Sequence, residues 1–253
     1  MNIKTHIYAI TLLLLLSVLI GCSSNKNKKL EEPKYAKSDI YIKHYAYSLV
    51  YNEQKEQASW LAYELRADEL RKKYKRMNNF RPDTMVHSQT ANNADYYKSG
   101  YDRGHLAPAA DMTWNKQAMS ESFLYSNMSP QQASFNRGIW KRLESKVRKL
   151  AAKYDNIYVC VGPLYLDSTT TIGNNKVAVP SHYYKALLLY NDTVQQSIAF
   201  VMPNKKSKER ISHYAITVDS LETIIKLDLF HQLANNKEKI IENSYDKKYW
   251  DLE

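Results

Sequence analysis

The sequence feature that most constrains the fold is an amphipathic helix pattern over residues 136–154. Its apolar side chains recur at helical spacing and form one stripe, namely Ile139, Trp140, Leu143, Val147, Leu150, Ala151 and Tyr154. A stripe of this kind must be buried against another layer of the protein. Arg137, Glu144 and Arg148 lie along one flank of it, and Glu144 and Arg148 have the spacing of an ordinary surface salt bridge.

The layer that receives this helix is predicted by short apolar or β-branched runs. They are residues 45–51, 59–65, 156–161, 183–189 and 197–201. Residues 67–75 are predicted to form a basic helix, and residues 76–83 a loop. Asp219 and Glu222 are predicted to form a capping box for a helix that continues to about Leu229. Strands in the middle with few helices outside predict an α+β domain around a mainly antiparallel sheet.

The first 21 residues are predicted to be a signal peptide, because Lys4 precedes an apolar run that is too short to span a bilayer comfortably. Leu19-Ile20-Gly21-Cys22 resembles a bacterial lipobox, which implies cleavage before Cys22 and its acylation. An ordinary secretory signal and an uncleaved anchor remain alternatives. All three export the chain, and the first holds it on the cell membrane or outer membrane. Residues 22–36 are predicted to be a lipidated, flexible tether, and residues 37–253 one domain.

Cysteine content and charge narrow the classes of function. A lipidated Cys22 leaves Cys160 without a disulfide partner, and the apolar run around Cys160 predicts that it is buried. The sequence has no Cys/His spacing for zinc, no glycine-rich phosphate loop and no G-x-S-x-G elbow. Without Lys4 of the signal peptide, the formal charge of +10 becomes +9. A basic exported protein suits a polyanionic partner.

A polar motif, Y-D-R-G-H-L-A-P-A-A-D, occupies residues 101–111. His105 can accept a proton near neutral pH, and Arg103 offers a planar fork of donors to phosphate oxygens. Gly104 between them permits a turn or a close approach of the backbone to a ligand. The motif is therefore predicted to present His105 near the surface on a bent, irregular backbone, as a general base acting on a phosphate. The alternative is a polar turn with one surface histidine.

A second stretch, residues 123–148, contains S-N-M-S-P-Q and F-N-R-G-I-W-K-R-L-E. Together with D-R-G-H-L-A-P-A-A-D, in this order and at this spacing, these motifs resemble the DNA/RNA non-specific endonucleases, the ββα-metal nucleases. Weaker matches at residues 60–63 and 179–183, continuing to about residue 233, extend the resemblance over most of residues 37–253. The resemblance implies a ββα-metal fold, in which a hairpin presents His105 and the helix presents Asn136.

The resemblance also implies the chemistry of the site. His105 would be the general base, and Asn136 would hold Mg²⁺, with Mn²⁺ as a substitute. Asn127 in S-N-M-S-P-Q is the second choice for the metal ligand. Glu144 would accept hydrogen bonds from metal-bound waters and orient them. An amide oxygen suits magnesium, because magnesium retains most of its waters and often takes few protein ligands.

Three arginines are expected to act on the phosphate. Arg103 would stabilise the transition state, and Arg76 and Arg148 would bind the substrate. Arg76 matches the family only loosely, because the loop around it can be aligned in more than one way. Asp102 is interpreted as a residue that stabilises a turn.

The leading hypothesis is an exported, lipid-anchored, magnesium-dependent endonuclease that acts on DNA and RNA. Contacts to phosphates carry little sequence information, so weak specificity should follow. Two alternatives remain: a nucleic-acid-binding lipoprotein without catalysis, and a phosphodiesterase for small nucleotides. The sequence does not choose between a monomer and a homodimer.

Overall fold

The computed structural model describes residues 28–88, 90–167 and 169–252. Its strands are β1 (Ile40–Lys43), β2 (Ser48–Asn52), β3 (Gln57–Arg66), β4 (Tyr101–His105), β5 (Met128–Gln132), β6 (Asn156–Leu164), β7 (Thr171–Ile172), β8 (Val177–Ala178), β9 (His182–Tyr190), β10 (Gln195–Pro203) and β11 (Ala215–Ile216). Seven of them form one antiparallel sheet in the order β1-β2-β3-β6-β9-β10-β11. β4 pairs with β5, and β7 with β8, as two-stranded ribbons. The predicted α+β class is confirmed.

The helices connect and cover these strands. The α-helices are α1 (Asn93–Tyr96), α2 (Lys116–Glu121), α3 (Ala133–Phe135), α4 (Lys141–Tyr154), α5 (Val218–Ile225) and α6 (Asn235–Glu242). A π-helical turn, Asn136–Trp140, joins α3 to α4. Short 3₁₀ turns lie at Ala67–Leu70, Ala109–Asp111, Tyr125–Asn127, Ile211–Tyr214 and Lys247–Trp250. No helix within the described residues has the length and hydropathy that a bilayer-spanning helix needs.

Both faces of the large sheet are buried, and successive side chains of its strands point to opposite faces. Tyr63 belongs to the core on one face, where it meets the helical stripe of Trp140 and Leu143. Ala62 belongs to the core on the other face, beneath Val218 and Leu221 of α5. Cys160 is a buried free thiol, as the sequence predicts. The long helix and the β4–β5 ribbon therefore lie on one side of the sheet, and α5 and α6 on the other.

Most predicted strands are confirmed, but a predicted helix and the start of one predicted strand are wrong. Residues 67–75 form only the 3₁₀ turn Ala67–Leu70, because this charged segment has no apolar stripe to bury. Beyond the turn, the backbone amides of Lys73 and Tyr74 donate to the Thr113 carbonyl instead of to a helix. The predicted strand at 45–51 begins only at Ser48, and β1 before it was not predicted.

The helix that contains Asp219 and Glu222 is also shorter and differently capped than predicted. It ends at Ile225, where Lys226 adopts a left-handed conformation that stops the helix. Its N-cap is Thr217, whose hydroxyl accepts a hydrogen bond from the Ser220 amide. Glu222 accepts a hydrogen bond from the Leu229 amide at 2.6 Å, so its side chain does not cap the N-terminus of α5. The prediction that Asp219 and Glu222 form a capping box is therefore wrong.

Part of the predicted tether is docked on the domain. Leu30 is buried in the core beside α5, and the Lys29 amide donates to Gln232 at 3.1 Å. The Lys34 amide donates to the Asp228 carbonyl at 2.8 Å. The flexible-tether prediction is therefore wrong for this segment. The signal peptide and Cys22 lie outside the described residues.

Candidate active site

The site is built on the β4–β5 ribbon, in which His105 pairs with Met128 and Asp102 pairs with Gln131. The backbone at His105 is a regular strand, so the predicted bent and irregular presentation is wrong. Gly104 has a packing role, because a Cβ on it would overlap the side chain of Gln131. The strands are joined by residues 106–127, which is a long connection rather than the tight turn of a hairpin. Gly104, which has no Cβ, thus lets the β4 backbone lie close to the Gln131 side chain.

His105 is buried, with 9% of its surface exposed, rather than near the surface as predicted. Its ring packs against Phe80 and Phe123, at centroid distances of 5.9 and 5.1 Å. Burial, together with the charges of Arg76 and Arg103, lowers the pKa of His105 to about 3. Its Nε2 has no hydrogen-bond partner within the described residues. The imidazole is therefore neutral at pH 7 and has a nitrogen available to accept a proton.

Arg76 and Arg103 lie on the same aromatic pair that holds His105. The Arg103 guanidinium lies 3.9 Å from the Phe80 ring centroid, and that of Arg76 lies 4.8 Å from the Phe123 ring centroid. Neither arginine forms a salt bridge with any residue that the structure describes. Two guanidinium groups without a carboxylate partner beside a neutral imidazole make a favourable environment for an anion.

Two asparagine side chains hold the guanidinium groups in place. Arg103 Nη1 donates to Asn93 Oδ1 at 2.7 Å, and Arg76 Nε donates to Asn78 Oδ1 at 2.7 Å. These bonds fix the position of each guanidinium without neutralising its charge. Burial lowers the pKa of Arg76, whereas the negative charge of Glu144 opposes that shift. Arg76, which lies beside His105, thus interacts electrostatically with Glu144 of the long helix.

Asp102 orients Asn136, a relation that the sequence interpretation missed. Asn136 Nδ2 donates to Asp102 Oδ2 at 2.9 Å, and Arg137 donates to both oxygens of the same carboxylate. A carboxylate only accepts, so the amide nitrogen must face it and the amide oxygen must face away. Within the described residues, Asn136 Oδ1 accepts no hydrogen bond. Asp102 lies in a strand and acts on Asn136, so its predicted role in a turn is wrong.

The donor set around Asn136 fits a hard cation that keeps most of its waters. The residue is half-exposed and lies in the π-helical turn, where Gly138 departs from helical backbone angles. Turns of this type are frequent at functional sites. A single oriented amide oxygen with open surroundings suits magnesium better than an ion that needs a complete protein cage.

Asn127, the second choice for a metal ligand, is fully buried and has structural partners. Its Oδ1 accepts from the Ala107 amide at 2.8 Å, and its Nδ2 donates to the carbonyls of Ala107 and Ser122 at 3.0 and 2.7 Å. The side chain therefore ties together both ends of the connection between β4 and β5. Its oxygen is already in use, which favours Asn136 as the candidate ligand.

Arg148 does not form the surface salt bridge with Glu144 that the spacing allowed as an alternative to its predicted role in substrate binding. Arg148 Nη1 donates to Asp111 Oδ1 at 2.7 Å, and Nη2 donates to Ser145 Oγ at 3.0 Å. The Asp111 side chain is fully buried and also accepts from the Tyr63 hydroxyl at 2.9 Å. The pairing of Arg148 with Asp111 crosses from the helix to the segment after β4. Sequence spacing could not reveal it, because the partners are 37 positions apart.

Lys185 is a member of this charge cluster that the sequence interpretation missed. It is fully buried in β9, and its ammonium lies 4.8 Å from the Trp140 ring centroid. Burial lowers its pKa, whereas the negative charges of Glu144 and Asp111 oppose that shift. Burial likewise raises the pKa of Glu144, and Lys185 opposes it most strongly. The sequence could have indicated this role, because Lys185 is the one lysine inside the apolar run 183–189. A lysine in a buried strand needs negative charge nearby.

Removal of Arg148 is expected to lower the free energy of unfolding by about 3–5 kcal/mol, because Asp111 would keep a buried charge without its partner. Arg142 offers a matched control on the same helix, since it is exposed and, within the part of the chain that the structure describes, donates only to the Glu209 backbone carbonyl. Arg142→Ala should change stability by less than about 0.5 kcal/mol. Urea denaturation of Arg148→Ala and Arg142→Ala measures both values. Equal stabilities of the two variants would contradict the buried pair.

A family model described as DNA/RNA non-specific endonuclease matches residues 25–236. Among curated proteins, mitochondrial Endonuclease G of Bos taurus is 38% identical over 192 residues, which cover 70% of this chain and 64% of that protein. For mitochondrial Endonuclease G of Homo sapiens, the identity is 38% and the coverage is 70% and 65%. Nuclease C1 of Cunninghamella echinulata var. echinulata is 34% identical over 76% of this chain and 83% of its own length. The chain thus spans slightly less than two thirds of the two Endonuclease G proteins.

A solved structure is similar over most of the fold. A chain from the crystal structure described as the EndoG/EndoGI complex superimposes with a TM-score of 0.76 at 31% sequence identity. The alignment covers 85% of this chain and 96% of that chain. The similarity therefore extends through the whole domain and is not confined to the two motifs.

Proposed function

The chain belongs to the DNA/RNA non-specific endonuclease family, and from this premise we propose that it is a metal-dependent endonuclease. It hydrolyses phosphodiester bonds of DNA and RNA with little sequence specificity. One observation carries this proposal: a neutral, buried imidazole lies beside two arginines, and among the residues that the structure describes its Nε2 has no hydrogen-bond partner and the arginines have no carboxylate partner. A proton acceptor and an anion-binding pair are the two parts that phosphodiester hydrolysis requires.

His105 accepts a proton from the attacking water, and the surrounding phenylalanines keep the ring neutral and fixed in orientation. Arg76 and Arg103 hold the phosphate oxygens and stabilise the charge that develops on them. Arg148 stays a predicted substrate-binding residue. Its guanidinium already binds Asp111 and Ser145, so we assign the phosphate first to Arg76 and Arg103.

We assign the metal to Asn136, whose amide oxygen is oriented by Asp102. Mg²⁺ is the cation proposed, and Mn²⁺ is its substitute, because both accept an oxygen ligand and retain waters. The bound cation would neutralise the charge on the leaving 3′ oxygen. Glu144 would accept hydrogen bonds from the cation's waters and orient them, and the charge of Lys185 favours the ionised carboxylate.

Incubation of the purified protein with supercoiled plasmid and with RNA, in Mg²⁺ or in EDTA, tests the proposal. The expected result is nicking and fragmentation of both polymers that stops in EDTA. Binding without cleavage would favour the non-catalytic alternative. Cleavage of bis-p-nitrophenyl phosphate without cleavage of plasmid would favour a phosphodiesterase for small substrates. Light scattering on the same preparation distinguishes a monomer from a homodimer.

We propose further that the protein is exported and anchored by lipid at Cys22, on the basis of the lipobox in the sequence. Cys22→Ser should move the protein from the membrane fraction to the soluble fraction and abolish labelling by a radioactive fatty acid. Two or more acyl chains bind a bilayer far more tightly than one, so the change in fractionation should be nearly complete. Cys160→Ser is the matched control, because this buried thiol should leave both readouts unchanged. Retention of Cys22→Ser in the membrane fraction with labelling intact would contradict the anchor.

A further inference from the structure

Three carboxylates come together on the face of the sheet opposite His105 and Asn136. Asp219 and Glu222 lie one turn apart on α5, and Glu242 is the last residue of α6. Both helices pack on β10. One oxygen from each carboxylate lies within 4.8 Å of an oxygen of the other two. Residues three apart on a helix share a side, which directs Asp219 and Glu222 together toward Glu242.

The burial of these carboxylates increases from the surface inward. Asp219 is exposed, Glu222 is half-buried, and Glu242 is only 3% exposed. Glu242 Oε1 has no hydrogen-bond partner within the described residues. A buried carboxylate oxygen without a donor is costly, and native structures normally supply a donor, a proton or a cation. Glu242 therefore has a buried oxygen that lacks a donor, and the exposed Asp219 lies at the rim of the same cluster.

Across residues 28–88, 90–167 and 169–252, no lysine, arginine or histidine forms a salt bridge with Asp219, Glu222 or Glu242. Asp228 and Glu238 add negative charge nearby, and Lys34 forms a salt bridge with Asp228 at 3.6 Å. Burial, together with the surrounding carboxylates, raises the pKa of Glu242 to about 9. The pKa of Glu222 is raised to about 7 for the same reasons.

We propose that Asp219, Glu222 and Glu242 form a binding site for Ca²⁺, which joins α5 to α6. Three oxygens no more than 4.8 Å apart have a common centre at most about 2.8 Å from each, close to the 2.3–2.6 Å of a calcium–oxygen bond. Calcium accepts six to eight oxygens in flexible geometry, so water can complete the shell on the Asp219 side. Magnesium requires near-ideal octahedral geometry at about 2.1 Å, which is a poorer match to this spacing.

The site is separate from the proposed catalytic metal at Asn136. It lies on the other face of the sheet, and Glu242 lies beyond residue 236, where the family match ends. The ion would fasten α6 to the domain and take the place of the proton that Glu242 otherwise retains. Its effect should therefore be on stability, and cleavage of nucleic acid should not depend on it.

Calcium titration of Asn136→Ala tests the site, because this background lacks the proposed catalytic ligand. Calorimetry should detect one bound Ca²⁺ in Asn136→Ala and none in Asn136→Ala/Glu242→Gln. Saturating Ca²⁺ should raise the thermal midpoint of the first by about 5 °C or more and leave that of the second unchanged. Gln is the neutral isostere of a protonated Glu, so without Ca²⁺ the two midpoints should agree within about 2 °C.

Two single variants complete the test. Asp219→Asn, at the exposed rim, should weaken Ca²⁺ binding by tenfold or more without affecting folding. Glu238→Gln removes a charge one turn before Glu242 but no ligand, so most of the calcium-dependent shift should remain. Persistence of the shift in both Glu242→Gln and Asp219→Asn would overturn the proposal, as would absence of any shift in Asn136→Ala. Plasmid cleavage by Glu242→Gln in Mg²⁺ should equal that of the unmodified protein, which keeps this test independent of the proposed endonuclease activity.

Discussion

Replacement of His105 by alanine is expected to lower the rate of plasmid cleavage by roughly 10²–10⁴-fold, the usual contribution of a general base. The residue is buried against Phe80 and Phe123, and its pKa of about 3 keeps it in the proton-accepting form at every pH at which the domain would be assayed. The rate constant under saturating Mg²⁺ is the quantity to measure. Binding of uncleaved DNA should change little, because Arg76 and Arg103 remain.

Loss of the ring also leaves a cavity, so the experiment must separate catalysis from folding. His105→Gln keeps much of the side-chain volume and should lose as much activity as His105→Ala while melting closer to the unmodified protein. His87→Ala is the control for an exposed histidine outside the site and should leave both activity and stability unchanged. A rate for His105→Gln within a few-fold of the unmodified protein would remove this residue from the mechanism.

The second large effect concerns the two candidate asparagines, which should fail in different ways. Asn136→Ala should raise the half-saturating Mg²⁺ concentration by at least about tenfold and lower the maximal rate, because the proposed metal loses its protein ligand. The free energy of unfolding should change little, since this side chain is half-exposed. Asp102→Asn should produce a weaker form of the same defect, because the amide of Asn136 would lose the carboxylate that orients it.

Asn127→Ala should instead lower the free energy of unfolding by several kcal/mol. The substitution leaves the buried backbone groups of Ala107 and Ser122 without partners, and each unsatisfied group costs about 1–3 kcal/mol. Its folded fraction should keep the normal Mg²⁺ requirement. Urea denaturation and Mg²⁺ titration of both variants measure the contrast. A raised Mg²⁺ requirement in Asn127→Ala, with none in Asn136→Ala, would reverse the assignment.

The sequence by itself determined the class of fold and the composition of the candidate site. The sequence predicted four elements correctly, namely strands β6, β9 and β10 and helix α4. Each buries apolar side chains whose spacing can be recognised within the element's own sequence. The two motifs identified His105 and Asn136 because their resemblance to one family lies in order and spacing. The same local reasoning failed at residues 67–75, where charged residues gave helical propensity without a face to bury.

Only the tertiary structure decided which side chains meet. Arg148 binds Asp111 rather than Glu144, Asp102 holds Asn136, and the charges of Lys185 and Glu144 act on each other. Each pairing joins elements far apart in sequence, so its energy depends on the burial and approach that folding imposes. Glu222 and Glu242 illustrate the same limit, since no local pattern indicates that two helices will bring carboxylates together at one buried point. Periodicity encodes which face of an element is buried, whereas the partner across that face is fixed only when the layers pack.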